Sequence, residues 1–182
     1  MNKEVEKKKG VLGAAKIGGV IKTNGEFKDP IFVGMDPSYN GFAIVLIDKD
    51  ANIVEQKLLK SSSKLEAEDR IIQLENEFKF VANIRQLKKL YIEGPSYMSK
   101  GAFVLQMGAL HFYLRIFFRK KNVHYKVIAP GTLKKFITGK GNAKKDLMLM
   151  KVYKKFGIEF EDDNLCDAYS LARLALEDYK NE

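Results

Sequence analysis

Cysteine and histidine are nearly missing from this chain. It has one cysteine in 182 residues, Cys166, and two histidines, His111 and His124. A single cysteine excludes an internal disulfide framework and any Cys-rich zinc centre, and it points to a reducing cytosol. Two histidines exclude a histidine-rich metal centre as well. A metal held by this chain would have to sit on oxygen ligands, which favours magnesium or manganese. No apolar run approaches the roughly eighteen residues of a membrane span, and no signal-peptide core follows the basic N-terminus, so no membrane partner is expected. There is no internal repeat and no Gly-rich phosphate loop. Cys166, His111 and His124 read as structural residues.

Acidic residues are also scarce over one long stretch. From His111 to Lys155 there are thirteen Lys and Arg against one acid, Asp146, so this segment carries +12 while the rest of the chain sums to −3. Such a run is either a solvated helix face or a surface for phosphates, whose binding releases counterions. Concentration into one region favours the second.

A 46% share of apolar residues in 182 positions fits one globular domain with a real core. Residues 1–29, rich in Lys, Glu and then Gly, read as a basic flexible arm, and residues 30–182 as the folded domain. Ile31 to Met35 is a buried strand, Pro37 to Gly41 a turn, and Phe42 to Ile47 a second strand folding back. Asn52 to Lys60 reads as a third strand. Ser63 and Glu66 match a capping box ahead of a helix over 64–88. Leu90–Glu93 is a short strand closed by Gly94-Pro95. The segment 100–121 is a helix apolar on more than one face, which serves either as a central core helix or as one that also packs on a second copy. Val123–Ile128 is a further strand, and Pro130-Gly131 opens a basic connector ending in the turn Gly139–Asn142. Helices follow over 144–156 and 165–179, the last capped by Asp162-Asp163-Asn164.

The acids fall at the ends of these elements. Asp36 closes strand one, Glu93 closes strand four, and Asp167 lies in the first turns of the last helix, with Asp163 and Asn164 on the same helix face. Asp36 could simply begin an Asx-turn before Pro37, and the aspartates near 163 could simply cap a helix. If strands one and four are neighbours and the last helix crosses them, however, the acids converge. Carboxylates so clustered repel one another unless divalent cations neutralise them. Two such ions about 4 Å apart clamp the attacking and leaving oxygens of a phosphodiester.

Gly34-Met-Asp36-Pro-Ser-Tyr-Asn-Gly41-Phe-Ala resembles the first motif of RuvC-type Holliday-junction resolvases, and Tyr91-Ile-Glu93-Gly resembles their second acidic motif. Asp167-Ala-Tyr-Ser-Leu-Ala is similar to the start of their final helix, and Lys134 with the Gly141–Lys145 turn resembles their basic residues near the scissile phosphate. The resemblance covers about Ile31 to Leu176. Small size and a divergent middle look more like the phage-type branch, which would place the protein in a host cytoplasm.

The resemblance implies an α/β domain of RNase H-like fold. Its mixed five-stranded sheet would have the first three strands antiparallel and helices on both faces. It implies a homodimer, here through the helix 100–121, that cuts four-way DNA with symmetric nicks in a magnesium-dependent hydrolysis leaving a 5′-phosphate. Manganese would also serve, with two ions per site. Asp36, Glu93 and Asp167, with Asp163 or Asn164, would hold the metals. The family pattern has an acid where this chain has Asn164: Asp163 takes that duty from one residue earlier, Asn164 coordinates through its neutral carbonyl oxygen, or the asparagine is a change that weakens metal binding, with Asp163 ranked slightly ahead. Lys145 would stabilise charge on the phosphate. Lys134, Lys135, Lys140, Lys144, Arg119 and Lys120 would bind the DNA backbone, and Tyr97 would either stack on an unpaired base or serve as a core or rim tyrosine. Two alternatives stand beside this reading. A non-catalytic branched-DNA-binding protein of the same fold is favoured by Asn164. A sugar-kinase-like ATPase would require phosphate loops and a second similar domain, which the sequence lacks.

Overall fold

The computed structural model describes residues 27–95 and 102–182. Tyr97 and nearly all of the N-terminal arm lie outside them. The elements run β1 (Ile31–Asp36), β2 (Phe42–Ile47), β3 (Ile53–Leu59), α1 (Ala67–Phe78), a 3-10 turn (Lys79–Asn83), β4 (Leu87–Glu93), α2 (Ala102–Lys120), β5 (Lys126–Ile128), α3 (Pro130–Thr138), α4 (Lys145–Phe156) and α5 (Asp163–Lys180).

The five strands form one mixed sheet in the order β3-β2-β1-β4-β5. β1 pairs antiparallel with β2, and β2 antiparallel with β3. β4 lies parallel to β1, and β5 parallel to β4. The fold is therefore the mixed α/β sheet expected from the sequence. Every residue of β1 and β2 is buried, as befits central strands covered on both faces. Alternate side chains point to opposite faces. Ile31, Val33, Met35, Ile44 and Leu46 pack under α1 and α2 with Leu74, Phe78, Leu110, Leu114 and Phe118. Phe32, Ala43, Val45 and Ile47 pack under α3, α4 and α5 with Leu133, Met148, Val152, Ala168 and Ala172. Helices thus cover both faces.

One glycine sets the height of α5 above the sheet. A Cβ on Gly34 would lie 1.9 Å from the carbonyl oxygen of Ala168 and 2.6 Å from the nitrogen of Ala172. Only a residue without a side chain lets α5 rest on β1 so closely. The small side chains of Ala168, Ala172 and Ala175, all buried, extend that contact along the helix.

Four local expectations change. The helix expected over 64–88 is three pieces: α1 ends at Phe78, a 3-10 turn follows, and Leu87 already belongs to β4. The tighter turn buries Phe78, Val81 and Ile84 on one side, and Leu87 pairs with Ile31 in the parallel ladder. The capping box does not form, because α1 starts at Ala67 with Glu66 as its cap residue and no side-chain cap bond. Residues 62–65 make a turn instead, closed by Leu65 N–H donating to the Ser62 carbonyl. The basic connector after Pro130 is itself a helix, with Pro130 in its first turn and Gly139 at φ 81° ending it. The last strand is only three residues, Lys126–Ile128.

Candidate metal centre

β1 and β4 are neighbours and run parallel, so Asp36 and Glu93 end their strands at the same edge of the sheet. Glu93 stands opposite Ile128 of β5, and the Gly94 N–H donates to the Ile128 carbonyl at 2.7 Å, which fixes where β4 stops. α5 begins directly over this edge. Its N-cap is Asp162, whose carboxylate accepts from the backbone nitrogens of Asn164 at 2.9 Å and Leu165 at 3.1 Å. That cap starts the helix two residues earlier than expected and turns Asp167 down onto the strand ends. One carboxylate oxygen from each of Asp36, Glu93 and Asp167 lies within 4.8 Å of the others.

The three acids sit at the bottom of a cleft of about 270 Å³ whose walls include Lys134, Lys145, Asp163, Asn164, Met107 and His111. Burial disturbs all three, and repulsion from neighbouring carboxylates adds to it at Asp36 and Asp167. The Asp36 carboxyl is pushed well above the carboxylate range by burial, then by the charges of Glu93 and Asp167. Burial also raises Glu93, against the opposing pull of a hydrogen bond with Asp36 and the charges of Lys134 and Lys145. Burial, Glu93 and Asp163 lift Asp167 to about 7. Three desolvated carboxyls at this spacing are costly as anions and gain from a cation between them. All donors are carboxylate oxygens, the ligand set of hard ions such as magnesium and manganese, so the residues present fit a divalent metal.

Asp163 stands apart. It lies outside the 4.8 Å cluster, and its carboxylate accepts a hydrogen bond from Lys145 Nζ. Asn164 lines the same cleft and lies against the β1–β2 turn, where a Cβ on Gly41 would come within 2.6 Å of its Nδ2. Lys134 and Lys145 reach the cleft. Lys135, Lys140 and Lys144 are exposed on the same α3–α4 layer but do not line it. Arg119 and Lys120 are exposed at the far end of α2, about 12 Å along the helix from His111 at 1.5 Å per residue.

The cleft residues contributed by α2 carry no functional signal in the sequence. His111, read there as structural, is buried and forms part of the wall, and burial together with Arg115 holds its imidazole down at about 4, neutral at ordinary pH. Met107 lies one turn earlier on α2. Helical periodicity shows that α2 has a core face but not which part of that face meets the cleft. Cys166 is a buried free thiol raised to about 12, chiefly by burial. His124 is exposed and lines a separate cleft beside Lys126 and Asp178.

The sheet order and the three acids at the ends of β1, β4 and the start of α5 define an RNase H-like domain with an acidic centre. Comparison with known proteins narrows the architecture further. The crossover junction endodeoxyribonuclease RuvC of Ehrlichia canis (strain Jake) is 24% identical over 143 residues, 77% of this chain and 92% of that protein. The structure of Thermus thermophilus RuvC superposes with a TM-score of 0.68 at 15% identity, covering 83% of this chain and 96% of that one. The same protein in complex with a Holliday junction substrate gives a TM-score of 0.67 at 16% identity, covering 81% and 91%. The fold is that of RuvC. No protein-family model matches the chain.

Proposed function

We propose that this protein is a divalent-metal-dependent endonuclease of the RuvC type that resolves four-way DNA junctions by paired, symmetric nicks. The observation that carries the reading is the buried triad Asp36, Glu93 and Asp167, with carboxylate oxygens within 4.8 Å of one another beside a strongly basic layer. Its similarity to a crossover junction endodeoxyribonuclease along most of both chains supports the same activity.

Magnesium, or manganese in its place, bound by the triad supplies Lewis acidity toward a phosphodiester oxygen and a water of lowered pKa. Asn164, through its neutral carbonyl oxygen, and Asp163 are the residues available for a second ion. The chain's own groups do the rest. Lys134 and Lys145 line the same cleft as the acids and hold the phosphate's charge as it grows. Lys145 leaves Asp163 to do so. Lys135, Lys140 and Lys144 grip the flanking backbone, Arg119 and Lys120 meet a junction arm farther out, and Tyr97 stacks on an unpaired base. The domain acts in the cytoplasm, a host's if the gene is of the phage-like branch.

A junction presents two equivalent strands, so two copies of the centre are needed. On α2, Leu105 (78% exposed), Phe112 (62%) and Ile116 (49%) form an uncovered apolar stripe. With Ala109, their spacing of four, three and four residues is that of a helix–helix seam. This stripe is the dimer contact. No helix among the described residues is long and apolar enough to cross a membrane.

The test is cleavage of a labelled four-way junction beside a linear duplex of the same sequence, with magnesium, for this chain and Asp36→Asn. Symmetric nicks confined to the junction and lost in the variant are expected. Tight junction binding without cutting by either protein would refute a nuclease and favour a binding module.

A further inference from the structure

The turn that carries Asp36 is tied down from the opposite face of the sheet by one side chain outside the cleft. Arg70 lies in the first turn of α1, next to the β1–β2 turn. Its Nε–H donates to Ser61 Oγ at 2.9 Å, and its terminal NH2 donates to Asn40 Oδ1 at 3.0 Å. Its guanidinium carbon stands 4.4 Å from the centre of the Tyr39 ring. Ser61 completes the tie, since its hydroxyl and its backbone N–H both donate to the Tyr39 carbonyl, at 2.8 and 2.9 Å. The Tyr39 hydroxyl in turn donates to the carbonyl of Gln106 on α2 at 3.1 Å. Tyr39 is wholly buried and Ser61 nearly so.

We infer that Arg70 is a positioning residue for the metal centre, acting through Asn40, Ser61 and Tyr39 to hold the turn between Asp36 and Gly41. This inference rests on the nuclease reading. Pro37 of this turn lines the acidic cleft, as do Asp163, Asn164 and Asp167 at the start of α5. Even a single Cβ on Gly41 would come within 2.6 Å of Asn164 Nδ2, so the turn has little room to move toward α5 without displacing that side chain. Arg70 fixes the turn from the other side. A planar, two-branched donor that also stacks on an aromatic ring sets both distance and orientation, which a lysine ammonium cannot do. Displacement of a catalytic group by about 1 Å costs on the order of a hundredfold in rate, so the tie acts on turnover more than on DNA affinity.

The test compares Arg70→Lys and Arg70→Ala with Gln73→Ala. Gln73 accepts a bond from the Ser62 N–H at 3.0 Å, which braces the same loop without touching the turn. Both Arg70 variants are expected to lose about tenfold or more in kcat on a junction, with KM within about twofold, and to need more magnesium for half-maximal rate. Gln73→Ala keeps wild-type kcat. Equal kcat in all four proteins overturns the inference. So does a rise in KM that steepens with salt while kcat is unchanged, because that is the signature of a phosphate contact. If the wild type cuts no junction, the nuclease reading fails, and hydrogen exchange over residues 36–43 decides the tie separately. Faster exchange in Arg70→Ala than in Gln73→Ala supports it, and equal exchange overturns it.

Discussion

Replacing Asp36 by asparagine should make the metal-free protein more stable while abolishing its activity. Two carboxylates 4.8 Å apart at most repel by about 3 kcal/mol at an effective dielectric near 20, and Asp36 has two such neighbours. Protonation already relieves part of this strain, since burial and the charges of Glu93 and Asp167 push the Asp36 carboxyl well above the carboxylate range. A net gain of about 2 kcal/mol at pH 8 remains, which for a domain of this size raises Tm by about 4–8 °C. The pH dependence follows from the same shifts. Carboxyls whose pKa is higher in the folded than in the unfolded state contribute stability that is whole below about pH 4, their unfolded value. That contribution is lost as pH rises through the folded value, near 7 for Asp167. The wild type without metal should therefore melt lower at pH 8 than at pH 5, and the advantage of Asp36→Asn should shrink toward pH 5. Magnesium should raise the wild-type Tm at pH 8 and leave the variant nearly unchanged. Differential scanning calorimetry with chelator, then with magnesium, at both pH values measures all of this. A variant less stable than wild type at pH 8 in chelator would refute the reasoning, because Asp36 would then be making net favourable contacts.

Gly34→Ala forces a methyl to 1.9 Å from the Ala168 carbonyl oxygen. It should cost about 3 kcal/mol or more in urea unfolding as α5 lifts from β1, and activity should fall with it. Leu105→Asp with Ile116→Asp should convert a dimer to a monomer in light scattering without lowering Tm by more than a few degrees, since both side chains are exposed. Lys145→Ala should lower kcat on a junction by about a hundredfold with little change in DNA affinity, measured by single-turnover cleavage. Asp162→Ala removes an N-cap that accepts two backbone bonds and should cost about 1 kcal/mol in the same urea assay.

The sheet was legible because its strands obey simple local rules. Ile31–Met35 and Phe42–Ile47 are continuous apolar runs flanking a turn of Pro, Ser, Asn and Gly, and burial on both faces is what such runs require. The three acids could be picked out because each sits where an element ends, and ends are set by short-range chemistry: the Pro37 turn, the Gly94-Pro95 break, the Asp162 cap. What local pattern did not carry was the division of 64–88. Leu87, Leu90 and the apolar residues before them satisfy a helical period as well as a strand. Only pairing with Ile31, a contact across more than fifty positions, decides for the strand. His111 escaped for a related reason. Its place in the cleft wall depends on the angle at which α2 crosses the sheet. Arg70 is further still from any motif, and its role is visible only once Asn40, Ser61 and Tyr39 stand around it.

The same geometry bears on the one position where the acidic pattern breaks. The sequence places Asp163 slightly ahead of Asn164 as a ligand; in the structure Asp163 pairs with Lys145 and lies outside the cluster, whereas Asn164 faces the β1–β2 turn within the cleft. A carboxylate at 164 would bring another negative charge to a centre where burial already raises all three acids. An amide offers a carbonyl oxygen of similar reach without that charge. The metal would then rest on Asp36, Glu93 and Asp167, with Asn164 as a neutral oxygen donor. Asp163 would serve to keep Lys145 at the mouth of the cleft until a phosphate competes for it. On this arrangement the asparagine lowers the repulsion of the empty centre, at the expense of one charge's attraction for the ion. On that arrangement it would not by itself disable the site.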